Sequence, residues 1–393
     1  MTIQATLEYG KRDWAATHPV KPFGLASRPV VLFGPYSYLG TIYGPTIAER
    51  CPGLVAVVDD HYRDERIHGA VRWSSEAFRA RAKEHPGIIA VDMSYSPLGH
   101  VVFSTLARDT GVPMCDVVQA IGEFDLPAIY QTPALMRSRT LAREDEWSAL
   151  RSALADDWSR ETLDAVLKLR LTLDRRCLRQ VTASLEDEYF SVLASTTTFR
   201  LHPDEIFADC GAYVGSTVRK AIAATDGRFR TIHAFEPDRK SYAELGKLNA
   251  LHMPGLVLHN AAVGDTNGRI RFLETGTMGS HVDEAAGNSG DTPILRLDDV
   301  LDEVTFIKMD LEGFEQRALR GAARLIRECR PRMAITAYHY ADDLLDLWRL
   351  LEELAPDYEL RLRHHSNYYY DTIFYAAPRN DSGISTARPN KRH

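Results

Sequence analysis

The sequence predicts an α/β protein built from two sheet modules, and three observations predict it. Short β-branched runs alternate with helix-compatible segments at both ends of the chain, the stretch between them changes to three- and four-residue apolar spacing, and glycine turns follow directly on strands. At 393 residues, length alone suggests two or three domains. A hydrophobic share of 45% with 26% charged residues is ordinary globular composition and excludes a mainly disordered chain. The net charge of -7 gives no electrostatic case for gripping nucleic acid or an anionic membrane, so a small molecule is the expected partner. Five cysteines, Cys51, Cys115, Cys177, Cys210 and Cys329, form no CxxC pair, which argues against a disulfide framework or structural zinc. The N-terminus lacks a basic segment followed by an apolar run, and no apolar stretch reaches eighteen residues; a cytoplasmic protein is expected.

Residues 1–28 form a polar opening segment. The first module spans 29–138, where PVVLF ends at Gly34, LVAVVDD at Asp60 and GIIAVDMS near Asp92, each reading as a parallel strand. Its turn GPYSYLG, Gly34 to Gly40, is a degenerate dinucleotide fingerprint: Pro35 and Tyr36 stand where close approach to a pyrophosphate wants glycine. This module is therefore expected to serve packing, a homodimer contact or part of a substrate site, and an NAD-dependent enzyme is the weaker alternative. Residues 139–200 read as a helical connector, with Trp147, Leu150, Leu154 and Trp158, then Leu163, Val166, Leu167 and Leu171, as core stripes. The cluster Glu186, Asp187, Glu188, Tyr189, Phe190 lies near its end.

The module at 201–378 carries the chemistry. EIFADC followed by GAYVGST sets Asp209, Gly211 and Gly215 at a strand-to-helix turn, where glycine allows close backbone approach and the helix start offers unpaired N–H groups, as a nucleotide-like ligand needs. TIHAFEPD ends in Glu236, spaced as an acid that meets ribose hydroxyls; Asp238 reads as a helix cap. VLHNAAVGD is the expected third strand, RIRFLET an added hairpin, and GTMGSH a glycine-rich loop. FIKMDLEGFE places Lys308, Asp310 and Glu312 at a buried strand end, an arrangement that is costly without a ligand or mutual pairing, while Glu315 reads as an acid favoured by the helix dipole. MAITAYHY ends in Tyr338 and His339. An open parallel sheet collects ligands outside its carboxyl ends, so Asp209, Glu236, Asp310, Glu312 and His339 are expected at one crevice. YELRLRHH and YYYDTIFYAA have no crossover helix between them and should pair antiparallel at the edge. His281, His364 and His365 are candidates for substrate contact, with surface placement the expectation for each, and the tail 379–393 is expected to be mobile.

The succession EIFADCGAYVGST, HAFEPD, NAAVGD, FIKMDLEGFE, AITAYHY, RLRHHS and DTIFYA resembles the FkbM-type family of S-adenosylmethionine-dependent methyltransferases, over about Leu201 to Pro378. The regions before it are similar to two-domain bacterial members. The resemblance implies a class I methyltransferase fold, a Rossmann-like seven-stranded sheet ending in an antiparallel hairpin, and methyl transfer to a hydroxyl oxygen of a small molecule, such as a sugar or glycosylated natural product. A nitrogen or peptide acceptor, or a cofactor-binding protein without turnover, are the alternatives. The cofactor set it implies is S-adenosylmethionine held by Asp209, Cys210, Gly211, Ala212, Gly215, Glu236, Pro237 and Asp310. His339 is the first candidate for general base, being near neutrality when unperturbed; Asp310 and Glu312 would orient the acceptor, bind the cofactor or, with His339, supply ligands to Mg2+ or a transition metal, three roles the sequence leaves open, and no metal is assigned.

Overall fold

The computed structural model describes residues 23–190, 199–273, 281–282 and 290–379. The expected polar opening segment up to residue 22, the GTMGSH loop up to Ser280 and the tail from residue 380 lie outside the described residues. The chain divides into two compact units. One comprises Met1–Glu144, Asp164–Gln180 and Asn367–Tyr369; the other comprises Asp145–Leu163, Val181–Ser366 and Tyr370–His393.

The first unit contains strands β1 (Val30–Phe33), β2 (Leu54–Val58), β3 (Arg66–Ile67), β4 (Ala70–Trp73), β5 (Ile89–Asp92) and β6 (Met114–Asp116), in the sheet order β3-β4-β2-β1-β5-β6. All neighbours run parallel except β3 and β4. Helices α1 (Tyr38–Arg50), α2 (Ser75–Arg81), α3 (Pro97–Thr110), α4 (Val117–Glu123) and α5 (Pro133–Ala142) follow the strands. Their starts are dictated locally: Ser37, Ser74, Ser96, Asp116 and Thr132 each accept a hydrogen bond from a first-turn N–H. β1 and β5 are buried at every position, which is why they read as continuous apolar runs instead of alternating ones. Val31, Phe33, Trp73, Phe78 and Leu106 form the core on one face, each fully buried side chain of this size contributing about 1.5–3 kcal/mol.

Helices α6 (Glu144–Ala153) and α7 (Asp157–Thr172) carry the apolar stripes, and Trp147, Leu150, Leu154, Leu163, Val166, Leu167 and Leu171 are buried as spacing requires. Beyond Thr172 the described chain takes only short 3-10 turns before the second sheet begins.

The second unit is built on β7 (Ile206–Cys210), β8 (Thr231–Phe235), β9 (Leu256–His259), β15 (Phe306–Met309), β16 (Arg332–Thr336), β17 (Tyr358–His364) and β18 (Thr372–Pro378), in the order β17-β18-β16-β15-β7-β8-β9. β18 runs antiparallel to both β16 and β17, and the remaining pairs are parallel. Helices α8 (Ser216–Ala224), α9 (Arg239–Leu245), α10 (Leu297–Val300), α11 (Glu315–Arg320), α12 (Ala323–Cys329) and α13 (Asp343–Leu354) join them. Between β9 and β15 lie two small sheets. β10 (Ala262–Val263) and β11 (Gly268–Ile270) flank β14 (Thr292–Leu295), and β12 (Phe272–Leu273) pairs with β13 (His281–Val282). RIRFLET is thus not one hairpin arm: it splits at Arg271 and serves both small sheets. VLHNAAVGD likewise divides into β9 and β10 at Asn260, whose side-chain amide donates to the Glu236 and Pro237 carbonyls.

One buried ion cluster fixes the lower part of this unit. Asp156 accepts from Arg361 at 3.1 Å and Arg363 at 2.9 Å, and the Arg363 guanidinium lies 4.2 Å from the Trp158 ring centre. Despite burial, these hydrogen bonds hold Asp156 down at about 2.

Candidate active site

The site begins with a glycine turn. Gly211 has φ +85° and Gly215 φ +84°, the left-handed region that favours glycine, and a Cβ at Gly211 would run into the Asp310 carbonyl oxygen. The turn is fixed by backbone bonds from the Gly211 and Ala212 N–H groups to the Phe235 carbonyl, and from the Asp310 N–H to the Cys210 carbonyl. It therefore knits together the ends of β7, β8 and β15. Gly215 opens α8 without a capping side chain, leaving first-turn N–H groups for a ligand.

Asp209 is wholly buried and lies 3.1 Å from Lys308 Nζ, so its carboxylate faces a cation inside the unit. Lys308 also donates to the Gly211 carbonyl at 2.7 Å, and its ammonium is held in the charged form by Asp209 and Asp310 in spite of burial. The pair supports the glycine turn from beneath, and the charge at this strand end is met by mutual pairing. Cys210, Ala212 and Pro237 are buried beside it.

Glu236 stands at the carboxyl end of β8. Its two oxygens accept from the Tyr213 and Asp238 N–H groups, each at 2.8 Å, which spreads the carboxylate toward the Gly211 turn. Burial raises it to about 7, against those two donors. Asp238 caps α9 through the Lys240 and Ser241 N–H groups, the structural role its position predicts.

At the ends of β15 and β16 the acids gather on His339. Its Nε2 lies 3.5 Å from Asp310 and 3.3 Å from Glu312, and its Nδ1 lies 3.3 Å from Glu315. The ring has no exposure, while Asp310 and Glu312 are about a quarter exposed. Glu315, Glu312 and Asp310 together overcome burial and raise His339 to about 10. Three acids around the ring favour its protonated form, and its complete burial keeps it from direct contact with an acceptor, unlike the exposed base near neutrality that the sequence suggests.

Glu315 also departs from expectation. It is buried, accepts from the Leu311 N–H at 2.7 Å and from Thr336 Oγ1 at 3.1 Å, and does far more than face a helix dipole. Glu312 occupies the left-handed region at φ +56°, next to Gly313 at φ +94°.

Three residues outside the sequence-derived set join the site. Tyr189 donates to Asp310 at 2.9 Å and Tyr338 does so at 3.3 Å, leaving Asp310 with two phenolic donors. Glu188 is pushed up to about 8 by burial, with Asp371 and Asp310 adding to the effect. The signal was the run at 186–190, three acids followed by two large aromatics ahead of the second sheet. His364 and His365 are not at the surface: His364 Nδ1 pairs with Thr372 Oγ1 at 2.9 Å, and His365 bridges the Ser184 carbonyl and the Tyr375 hydroxyl. His281 lies in β13.

Among the described residues, two groups offer three metal-ligating atoms within 4.8 Å of one another: Asp310, Glu315 and His339 in this site, and Asp92, His100 and Asp116 in the first unit. Arg175 stands beside the second group, 2.6 Å from Asp116. No described helix is long and apolar enough to cross a membrane. The five cysteines are unbridged.

Comparison with known proteins bears on this arrangement. Residues 209–358 match the methyltransferase FkbM domain. The chain is similar to the crystal structure of methyltransferase FkbM from Methylobacillus flagellatus KT, with TM-score 0.76 and 26% identity, over 95% of this chain and 100% of that one. Partial likeness extends to an rRNA methylase from Streptococcus thermophilus (TM-score 0.29, 15% identity, 45% of this chain and 86% of that one). It extends also to a SAM dependent methyltransferase from Aquifex aeolicus (TM-score 0.30, 10% identity, 52% and 97%). No curated protein matches.

Proposed function

As this chain belongs to the FkbM methyltransferases through its domain at residues 209–358, we propose that it transfers a methyl group from S-adenosylmethionine to a hydroxyl oxygen of a small molecule, a sugar or glycosylated natural product. The observation that carries this reading is the placement of Glu236 beside a Cβ-intolerant glycine turn, with the part-exposed Asp310 on the neighbouring strand end. The residues fit the cofactor: Gly211 leaves room for close approach, the α8 start offers N–H groups, and the Glu236 carboxylate would accept both ribose hydroxyls. Asp209 and Lys308 would act from beneath, by holding the turn's carbonyl.

When bound, the cofactor supplies a methyl on sulfonium sulfur, already a good electrophile. The chain's task is then to align an oxygen in line with that methyl and to keep water out. Asp310, part-exposed and fixed by Tyr189 and Tyr338, is assigned to the acceptor hydroxyl, with Glu312 beside it. His339 cannot touch the acceptor from its buried place; it is a positioning residue that gathers Asp310, Glu312 and Glu315. Asp310 is the carboxyl assigned to receive the hydroxyl proton; Glu188, pushed up to about 8 by burial, is mostly protonated at neutral pH and serves beside it as a hydrogen-bond donor.

Calorimetric titration with S-adenosylhomocysteine tests the cofactor assignment, and a mass-spectrometric screen of glycosides for methylation tests the acceptor. Micromolar binding that weakens at least tenfold in Glu236→Ala is expected; unchanged affinity in that variant removes the ribose role.

A further inference from the structure

We infer that the first unit binds a neutral sugar outside the carboxyl ends of β1 and β5. The inference rests on the proposed function only in the class of ligand, a glycoside. In the order β3-β4-β2-β1-β5-β6 the chain leaves β1 for β2 on one side and places β5 on the other, so the strand order reverses at β1 and β5. Open parallel sheets bind ligands at such a point, where the loops that follow the two strands diverge. α1 and α3 start there, after the turns that follow β1 and β5.

Two buried polar groups are left over at this place. Ser94, 3% exposed, has an Oγ with no hydrogen-bond partner. It sits between the two turns: a Cβ added at Gly34 would lie 3.6 Å from the Ser94 N, and one at Gly99, in the first turn of α3, only 2.8 Å from the Ser94 Cβ. Ser37 Oγ donates to the Met93 carbonyl and so draws the Gly34 turn alongside. Arg175, also 3% exposed, donates to Asp116 at 2.6 Å and to the Ser94 carbonyl at 2.7 Å, yet its Nη2 lies 3.6 Å from Asp92 and makes no hydrogen bond. Buried polar atoms without hydrogen bonds are uncommon and costly; Arg175 Nη2 keeps Asp92 as an ionic neighbour, and a ligand hydroxyl would give Ser94 Oγ the partner it lacks.

The rim supplies the complementary chemistry. Tyr36 stacks on Tyr62 at 3.7 Å, and Tyr38 meets Tyr95 edge-on at 5.5 Å. Tyr62 is 49% and Tyr38 40% exposed, a large apolar area to leave in water. All four follow β1, β2 or β5 at the sheet's carboxyl edge. Charge selects the ligand class. Asp92 and Asp116 lie at the base, their carboxylates shared by Arg175, and Asp92 also holds His100 Nδ1 at 2.6 Å, so no surplus positive charge remains for a phosphate. A neutral pyranoside matches: its C–H face suits tyrosine rings and its hydroxyls suit the buried serine and guanidinium.

Saturation-transfer NMR and calorimetry on the full chain, with methyl glycosides of the common hexoses and a hexose phosphate for comparison, test this. At least one neutral glycoside should bind with Kd of about 1 mM or tighter. Tyr62→Ala and Ser94→Ala should each weaken it at least fivefold while S-adenosylhomocysteine affinity stays within twofold. Failure of every neutral glycoside to bind, tighter binding of the hexose phosphate, or unchanged affinity in both variants overturns the inference. Methylation of glycosides by a chain that binds none of them in the first unit would leave the proposed function standing and this site refuted. Glycoside binding without S-adenosylhomocysteine binding would do the reverse.

Discussion

Lys308 and Asp209 form a pair whose members cannot be separated cheaply. Both are buried, and removing the cation leaves a carboxylate facing a carbonyl-lined interior. Lys308→Met should therefore destabilise the protein by about 3–5 kcal/mol, measured by denaturant unfolding, whereas replacing both partners with apolar residues should recover part of the loss. Glu236 sets a pH dependence of ligand binding. Raised to about 7, it is increasingly protonated below that value and then a poorer acceptor for ribose hydroxyls, so affinity for S-adenosylhomocysteine should fall as pH drops from about 8 to about 6. Titrations across that range check this, and a flat profile would remove the carboxylate's role. His365 acts on stability with the opposite protonation. Burial lowers it to about 3, so the native form binds fewer protons than the unfolded one; its stability contribution is complete above the ordinary value of 6.5 and lost as pH falls toward 3. His365→Gln should flatten the acid limb of the unfolding curve.

Elements explain what was legible in the sequence. Val30–Phe33, Ile89–Asp92 and Phe306–Met309 are buried on both faces, so their runs of apolar residues announce them, and the acids at or just after the ends of the latter two mark where charge gathers. The glycine turn was equally plain. Gly211→Ala should abolish S-adenosylhomocysteine binding and lower the melting temperature by several degrees, whereas Gly246→Ala, with open space around it and no positive φ, should change stability by no more than about 0.5 kcal/mol. What could not be read was partnership across long separations. His365 is buried because Ser184 and Tyr375 receive it, Glu315 because Thr336 and Leu311 donate to it, and Tyr189 joins the site through Asp310, 121 residues away. Local pattern says that a residue is charged or aromatic; only the fold says what it meets.

At the scale of the whole molecule, the second unit draws on the middle of the chain. Asp156, the counter-ion of Arg361 and Arg363, and Trp158, Tyr189 and Phe190 all precede residue 201. A chain truncated to begin at residue 201 would retain the glycine turn and the acids yet leave Arg363 without the Asp156 carboxylate and Arg361 with Glu359 alone. It should be insoluble or unfolded, read by circular dichroism and gel filtration, while one beginning at residue 145 keeps those partners. Stable, monomeric folding of the shorter piece would show that the Asp156 cluster is dispensable to the second unit.

Tyr368 lies between two strands of the second unit but belongs to the first, where its hydroxyl donates to that of Tyr43 at 3.0 Å. Synthesis must therefore run past residue 368 before this part of the first unit's interior is complete. Until then the Tyr43 hydroxyl lacks this partner, so the first unit is finished only after most of the second has been made.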